Sequence, residues 1–269
     1  MESRKEVIAG HAVLIIGAFV ALYPFVSVVL HALSPAPGSA ATGWTLENFI
    51  GAWTRGGFSR SLWNSALVAF SVVGATAVAA VLAGYVLSVL KFRWRVFVFA
   101  LLMIGLVLPS EARIIPLYNF FAATGLLNSY WALILPQVAS SLPLATFWMA
   151  NYFSQLPESL AEAAALDGAG EFDILRYIYA PLGMTAVMTL SCLIFLYTWN
   201  EFMLALVLMP DNVAVQTAPL SLSFFAGNER TTEPEVIAAA AVLVALPVVI
   251  AYFLLQRRFM SGLLEGAVK

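Results

Sequence analysis

Apolar residues gather into six long runs divided by short polar segments. The runs extend approximately from Val7 to Ala32, Leu62 to Leu90, Val96 to Phe121, Trp131 to Phe153, Gly183 to Met209, and Glu235 to Leu255. A helix needs roughly 20 apolar residues to cross about 30 Å of hydrocarbon. Each run meets that length, so the pattern predicts an all-α integral membrane protein with six transmembrane helices. The third run is interrupted by Pro109, Glu111, Arg113 and Pro116. A broken helix or an interfacial segment is expected there, because irregular backbone at membrane depth is tolerated only against protein or water. The first run follows Arg4 and Lys5 and precedes the small residues Ala36 to Ala41. It exceeds the roughly 7–15 apolar residues of a signal peptide, so it reads as a span.

Composition supports the membrane reading. Hydrophobic residues make up 62% of the chain and charged residues 10%, against about 25% charged in soluble domains. A soluble fold of this length has too little polar surface to enclose so much apolar material. The net charge of −2 and the lack of a basic stripe argue against a nucleic-acid partner. Cys192 is the only cysteine and lies in an apolar run, while His11 and His31 stand apart from other ligand-type residues. No disulfide framework or metal site is implied.

Positive charge sets the expected orientation. With the N-terminus inside, the inner segments hold Arg4, Lys5, Lys91, Arg93, Arg95, Arg176, Arg257, Arg258 and Lys269. The outer segments hold Arg55, Arg60, Arg113 and Arg230. Cytoplasmic loops carry the excess of Lys and Arg, so both termini are expected in the cytoplasm. Trp44, Trp53, Trp63, Trp94 and Trp131 fall near expected membrane ends, as an aromatic belt requires.

One inner loop, residues 155–181, is more than a linker. Pro157 suits a first helical turn, Glu158 and Glu162 suit a helix N-terminus, and Ala163, Ala164 and Ala165 are the strongest helix formers. Gly168 is positioned to stop that helix in a left-handed conformation. A second helix is expected from about Glu171, with an apolar stripe of Phe172, Leu175, Ile178 and Tyr179, ending at Pro181. Helices that lie on membranes are rich in Lys and Arg. This hairpin carries Glu158, Glu162, Asp167, Glu171 and Asp173 against Arg176. Anionic lipid repels such a surface, and a basic groove on a protein partner suits it better.

The loop contains Glu162-Ala163-Ala164, three residues, Gly168, nine residues, then Ile178-Tyr179-Ala180-Pro181. This resembles the cytoplasmic motif of the permeases of binding-protein-dependent ABC importers, with Ala180 where Leu is usual. Nearly the whole chain resembles the carbohydrate-type subfamily, in particular the smaller maltose-permease subunit. The matching segments are Trp63-Asn64-Ser65, Pro109 through Ile115-Pro116-Leu117-Tyr118, Gly125 through Trp131, Trp199-Asn200-Glu201-Phe202, and Gly262 through Lys269. The resemblance implies a single transmembrane permease domain over residues 1–269, with a coupling-helix hairpin between the fourth and fifth spans and a cytoplasmic tail at 256–269. It implies half of a translocation pathway for a sugar, oligosaccharide or related polyol in a bacterial inner membrane. The implied partners are a second homologous permease subunit, a dimer of ABC ATPases carrying ATP and Mg, and an extracytoplasmic substrate-binding protein. Glu162, Ala163, Ala164, Asp167, Gly168, Ile178 and Pro181 would then form the ATPase-coupling site, with Glu162 facing a basic residue and Gly168 permitting the turn. Related permeases use a loop like the polar outer segment 210–234 to meet the binding protein.

No ATPase activity is expected in this chain. A Walker loop needs Gly-Lys-Ser or Gly-Lys-Thr, and none of Lys5, Lys91 and Lys269 follows a glycine. No catalytic triad, paired-carboxylate or metal-ligand arrangement stands out either. Within the runs, Asn64, Asn200 and Glu201 are candidates for the substrate path, because ionisable and polar groups at membrane depth usually face a bundle interior or cavity. Helix–helix hydrogen bonding is the structural alternative for all three. A stand-alone secondary transporter or channel is the rival function. It predicts an internal repeat or a complete ion pathway, and the sequence shows no repeat and few charges within the runs. A membrane scaffold or enzyme would leave the spacing from Glu162 to Pro181 unexplained.

Overall fold

A computed structural model describes residues 4–36, 43–209, 212–227 and 233–267. Among these the chain is helical, with no strand. The helices are α1 (Arg4–Leu33), α2 (Glu47–Gly56), α3 (Phe58–Ser88), α4 (Arg95–Val107), α5 (Ile114–Ala123), α6 (Tyr130–Phe153), α7 (Ser159–Leu166), α8 (Glu171–Leu182), α9 (Met184–Trp199), α10 (Met203–Leu208), α11 (Ala218–Gly227) and α12 (Pro234–Ala267). Four stretches are long and apolar enough to cross a membrane, namely Gly10–Leu33, Phe58–Ser88, Tyr130–Phe153 and Pro234–Phe253. Two bent pairs bring the number to as many as six if each is one span.

The first bent pair is the interrupted third run, where α4 and the segment Glu111–Ala123 meet at 94°. Its cause is local. Leu108 is extended, at φ −71° and ψ 122°, because the ring of Pro109 disfavours the helical conformation in the residue before it. Pro116 falls in the first turn of α5, where a missing N–H breaks no internal bond.

The fifth run departs from the expected single helix, Gly183 to Met209. Helix α9 stops at Trp199, and α10 resumes at Met203. The Asn200 side chain donates to the Leu196 carbonyl at 2.7 Å, and the Glu201 carboxylate accepts the Leu204 N–H at 2.8 Å. Glu201 thereby pairs an N–H that a continuous helix would bond to the Asn200 carbonyl, while the Leu196 carbonyl keeps the Asn200 N–H at 3.2 Å and takes the side chain as a second donor. Helix α8 also differs from expectation. It runs past Pro181 to Leu182, bends by 69° at Gly183 and contains a π turn at Leu175–Tyr179. Proline has no N–H for the next i→i−4 bond, and the Ala180 N–H reaches back to the Leu175 carbonyl instead.

The chain divides into two compact units. The first comprises residues 1–60 and 220–247. Here Asn48, 3% exposed, donates to the carbonyls of Ala32 at 2.9 Å and Ser34 at 2.6 Å. It thereby pairs backbone groups that the end of α1 leaves open. Phe58 and Phe225 meet edge to face at 5.5 Å, and Arg55 pairs with Glu233 at 3.0 Å on the surface.

The second unit comprises residues 61–219 and 248–269. Within it α3 approaches α6 closely. A Cβ on Gly84 would stand 2.6 Å from the Met149 Cβ and 3.0 Å from the Ala150 nitrogen. Just beyond, Tyr85, Phe153 and Tyr179 stack edge to face at 5.2 and 5.5 Å, all three nearly fully buried. Overpacking a close contact costs about 1–3 kcal/mol. Gly84→Val is therefore expected to lower the melting temperature of the purified protein in detergent, and an unchanged melting curve would contradict the close approach.

Candidate functional site

The loop at residues 155–181 folds as two short helices, α7 and α8. Gly168 separates them at φ +87°, a conformation that residues with a Cβ rarely adopt. The Gly168 N–H bonds the Ala165 carbonyl and the Ala169 N–H bonds the Ala164 carbonyl, each at 3.0 Å. This pair of bonds closes the last turn of α7 and satisfies its open carbonyls. Pro157 and Glu158 precede α7 and are not inside it, the Pro157 carbonyl accepting from the Leu160 N–H at 3.2 Å.

Glu162, Ala163, Asp167, Gly168 and Pro181 are exposed, and Ala164 and Ile178 are half-buried. Leu166 is 89% exposed at the end of α7. The face of α8 turned inward is Ile174, Leu175 and Tyr179. The expected stripe is thus corrected at Phe172, which is 66% exposed, Ile174 facing inward in its place.

Two features of this loop escaped the sequence. Lys91 and Arg95 line the same groove as Glu158, Glu162 and Glu171, a space of about 470 Å³. The Lys91 ammonium lies 3.8 Å from the Glu158 carboxylate, both well exposed, so the pair contributes little. The Tyr85 hydroxyl also donates to the Glu171 carboxylate at 2.7 Å, which fastens the start of α8 to α3. The Lys91–Arg95 cluster was the visible signal, but it bears on membrane orientation as readily as on the loop.

The polar residues of the apolar runs separate into two places. Asn64 is 1% exposed. Its Nδ2 donates to the carbonyls of Ala214 and Gln216, each at 2.9 Å, and its Oδ1 accepts the Tyr130 hydroxyl at 2.7 Å. Beside it the Ser65 hydroxyl accepts the Ala218 N–H at 2.8 Å. Residues 125–131 join the same region: the Asn128 N–H bonds the Leu208 carbonyl at 3.0 Å, and the Asn128 carbonyl accepts from Asn212 at 3.3 Å. Asn64 therefore fastens the 212–218 segment against α3 and α6. The other place is the break after α9, where Asn200 is exposed and Glu201 is half-buried. Glu201 lines a cavity of about 240 Å³ together with Ser110, Arg113, Gln137, Ser140 and Tyr197. Asn64 and Asn200 are not on that cavity's wall. Among the described residues there is no group of three or more His, Cys, Asp or Glu that could hold a metal ion.

The fold is all-helical among the described residues, with four to six candidate membrane spans and a two-helix acidic loop at residues 155–181, as befits a membrane protein. Residues 75–264 match the model of the binding-protein-dependent transport system inner membrane component, and the chain belongs to that family. It is 33% identical to the trehalose/maltose transport system permease protein MalG of Thermococcus litoralis, over 98% of this chain and 99% of that one. It is 33% identical to the sn-glycerol-3-phosphate transport system permease protein UgpE of Escherichia coli O157:H7, over 96% of each. With the probable ABC transporter permease protein YurM of Bacillus subtilis it shares 32% identity over 92% of this chain and 83% of that one. The fold matches a chain of a bacterial ABC transporter involved in the import of the acidic polysaccharide alginate, with a TM-score of 0.78 at 24% identity, covering 96% of this chain and 99% of the other. The chain is thus a permease subunit of an ATP-driven importer, resident in the membrane.

Leaving buried donors or acceptors unpaired costs about 1–3 kcal/mol each. Asn64→Ala removes the partner of the Tyr130 hydroxyl and of two carbonyls, so a clearly lowered melting temperature is expected. A melting temperature equal to that of the unaltered protein would show that this amide is not the fastener.

Proposed function

We propose that this permease subunit forms half of the translocation pathway for a sugar, oligosaccharide or related polyol. A second, homologous permease supplies the other half. The substrate class rests on the relatives, whose names specify trehalose, maltose, arabinooligosaccharides and sn-glycerol 3-phosphate. In this reading α4 with α5 makes the third span and α9 with α10 the fifth, residues 1–269 make one permease domain of six spans, and both termini lie in the cytoplasm. An extracytoplasmic binding protein delivers the substrate to the outer side, where the loop at residues 210–234 meets it. Pro210, Asp211 and residues 228–232 of that loop lie outside the described residues.

The observation that carries the reading is the exposed α7, with Glu162 on it and the left-handed turn at Gly168 closing it. This helix docks into a cleft on an ATPase subunit, where ATP and Mg are bound and hydrolysed. Glu162 and Asp167 face basic groups of the cleft, and Ala163 and Ala164 let the surfaces approach closely. Gly168 fixes the turn, while Ile178 and Pro181 set the course of α8 back to the membrane. Tyr85, Phe153 and Tyr179 tie the loop to α3 and α6, so a push on α7 passes into the helices as a rigid movement. Asn200 and Glu201 border the substrate path, and Asn64 holds the frame around it.

Glu162→Lys and Gly168→Val are expected to abolish co-purification with the ATPase subunits while the permease pair still assembles. Uptake that survives both changes undiminished would show that the loop does not couple. Tyr85→Phe keeps the ring stack but removes the bond to Glu171. The transporter should then assemble with normal stoichiometry yet import less sugar per ATP hydrolysed in proteoliposomes, and an unchanged ratio would show that this bond transmits nothing.

A further inference from the structure

Three cations stand between α3 and the first turn of α4: Lys91, Arg93 and Arg95, alternating with Phe92 and Trp94. The Lys91 ammonium faces the Glu158 carboxylate at 3.8 Å. The Arg93 guanidinium lies 5.8 Å from the centre of the Trp94 ring, which is 63% exposed. Arg95 is half-buried, yet its side chain makes no hydrogen bond or ion pair among the described residues. It borders the groove of Glu158, Glu162 and Glu171, but none of these carboxylates is within ion-pairing distance of it. A guanidinium has five N–H donors in a planar fork. Holding it half out of water with all five open is costly unless an anion from outside the chain pairs it.

Arg95 also lines a second cleft, between α4 and α6, with Phe99, Phe147 and Asn151. The Asn151 side-chain amide has no partner among the described residues. Residues four apart share one helix face. Arg95 and Phe99 are such a pair on α4, and Asn151 and Phe147 are such a pair on α6. On both helices the free polar group stands at the membrane end of the apolar run. On both, the ring stands one turn deeper, about 6 Å at 1.5 Å per residue. The two rings meet at 6.0 Å. The cleft therefore orders its chemistry along the bilayer normal, with cation and amide outermost and aromatic surface within.

We infer that this cleft holds one anionic phospholipid of the inner leaflet. Arg95 and Arg93 take its phosphate, Asn151 donates to the headgroup, and an acyl chain lies along Phe99 and Phe147. Basic pockets between membrane helices on the cytoplasmic side recognise acidic lipid headgroups in this way, and Trp94 marks the interfacial depth. A free phosphate would leave the rings uncovered, and a zwitterionic headgroup would bring a cation of its own to the arginines. The leaflet assignment rests on the permease reading, which places residues 91–95 in the cytoplasm.

The test is native mass spectrometry of the assembled transporter, ATPase subunits included, titrated with dioleoyl phosphatidylglycerol or dioleoyl phosphatidylcholine. Phosphatidylglycerol is expected to bind more tightly. Arg93→Gln and Arg95→Gln should each weaken it about fivefold, the equivalent of about 1 kcal/mol per cation. Arg176→Gln, which removes the one cation of residues 155–181, should leave it unchanged. Dihexanoyl phosphatidylglycerol, with its shorter chains, should bind less tightly. Equal binding of the two dioleoyl lipids, or unchanged phosphatidylglycerol binding in both arginine variants, overturns the site. An equal loss in Arg176→Gln reduces it to general surface attraction, and displacement by inorganic phosphate makes the ligand a free anion; either overturns the lipid. Loss of the ATPase subunits from the arginine variants, with phosphatidylglycerol retained, assigns the cations to that partner instead. Failure of the unaltered chain to hold ATPase subunits overturns the permease reading, whatever lipid it binds. Since Cys192 is buried, Arg93→Cys supplies a unique label site. An impermeant maleimide should reach it only in opened cells, and labelling of intact cells overturns the inner-leaflet assignment.

Discussion

A backbone N–H or C=O left unpaired in hydrocarbon costs several kcal/mol, and that penalty governs where this chain can interrupt a helix. Breaks are tolerated where side chains recapture the freed groups. Glu201 does so at the gap between α9 and α10, taking the Leu204 N–H. Asn48 does so at the end of α1, and Asn64 with Ser65 does so for the 214–218 segment. The polar residues of the apolar runs are therefore mostly devices for bending the chain. Their conspicuousness in the sequence reflects the cost of a break before it reflects any contact with a substrate.

Close packing at two glycines stiffens the loop at residues 155–181. Once α8 ends at Gly183, it returns to the membrane against a packed aromatic cluster, and a Cβ on Gly183 would meet the Phe153 ring at 2.7 Å. Gly84 plays the matching part between α3 and α6. Small residues at these two points bring helix backbones close enough for Tyr85 to reach Glu171. Helix α8 is thus held with little slack against α3 and α6.

Much of this was legible in the sequence. Hydrophobic run length alone located α1, α3, α6 and α12, because each is a long uninterrupted helix whose peptide groups pair internally. The Pro109 break was legible too, since proline acts on its immediate neighbour. Gly168 was legible for the same reason, its left-handed turn following a strong helix former. The gap after Trp199 was hidden, because it depends on two side chains turning back on their own backbone, and Asn200-Glu201 within an apolar run reads equally well as a continuous helix with a polar spot. The bond from Tyr85 to Glu171 was also hidden. Its partners are 86 residues apart, and no local pattern specifies a contact at that range.

Asn64 and Glu201 show how burial sorts residues that the sequence treats alike. Both are polar groups in apolar runs within motifs of the family resemblance, and sequence reasoning placed both on the substrate path. Asn64 makes three hydrogen bonds inside the protein, and an amide so engaged has almost nothing left for a ligand. Glu201 makes one, at its break, and its remaining oxygen borders open space beside Arg113. The difference is one of remaining hydrogen-bond capacity, a quantity fixed by tertiary contacts and invisible to residue type. Counting that capacity separates the groups that shape a membrane protein from those available to what passes through it.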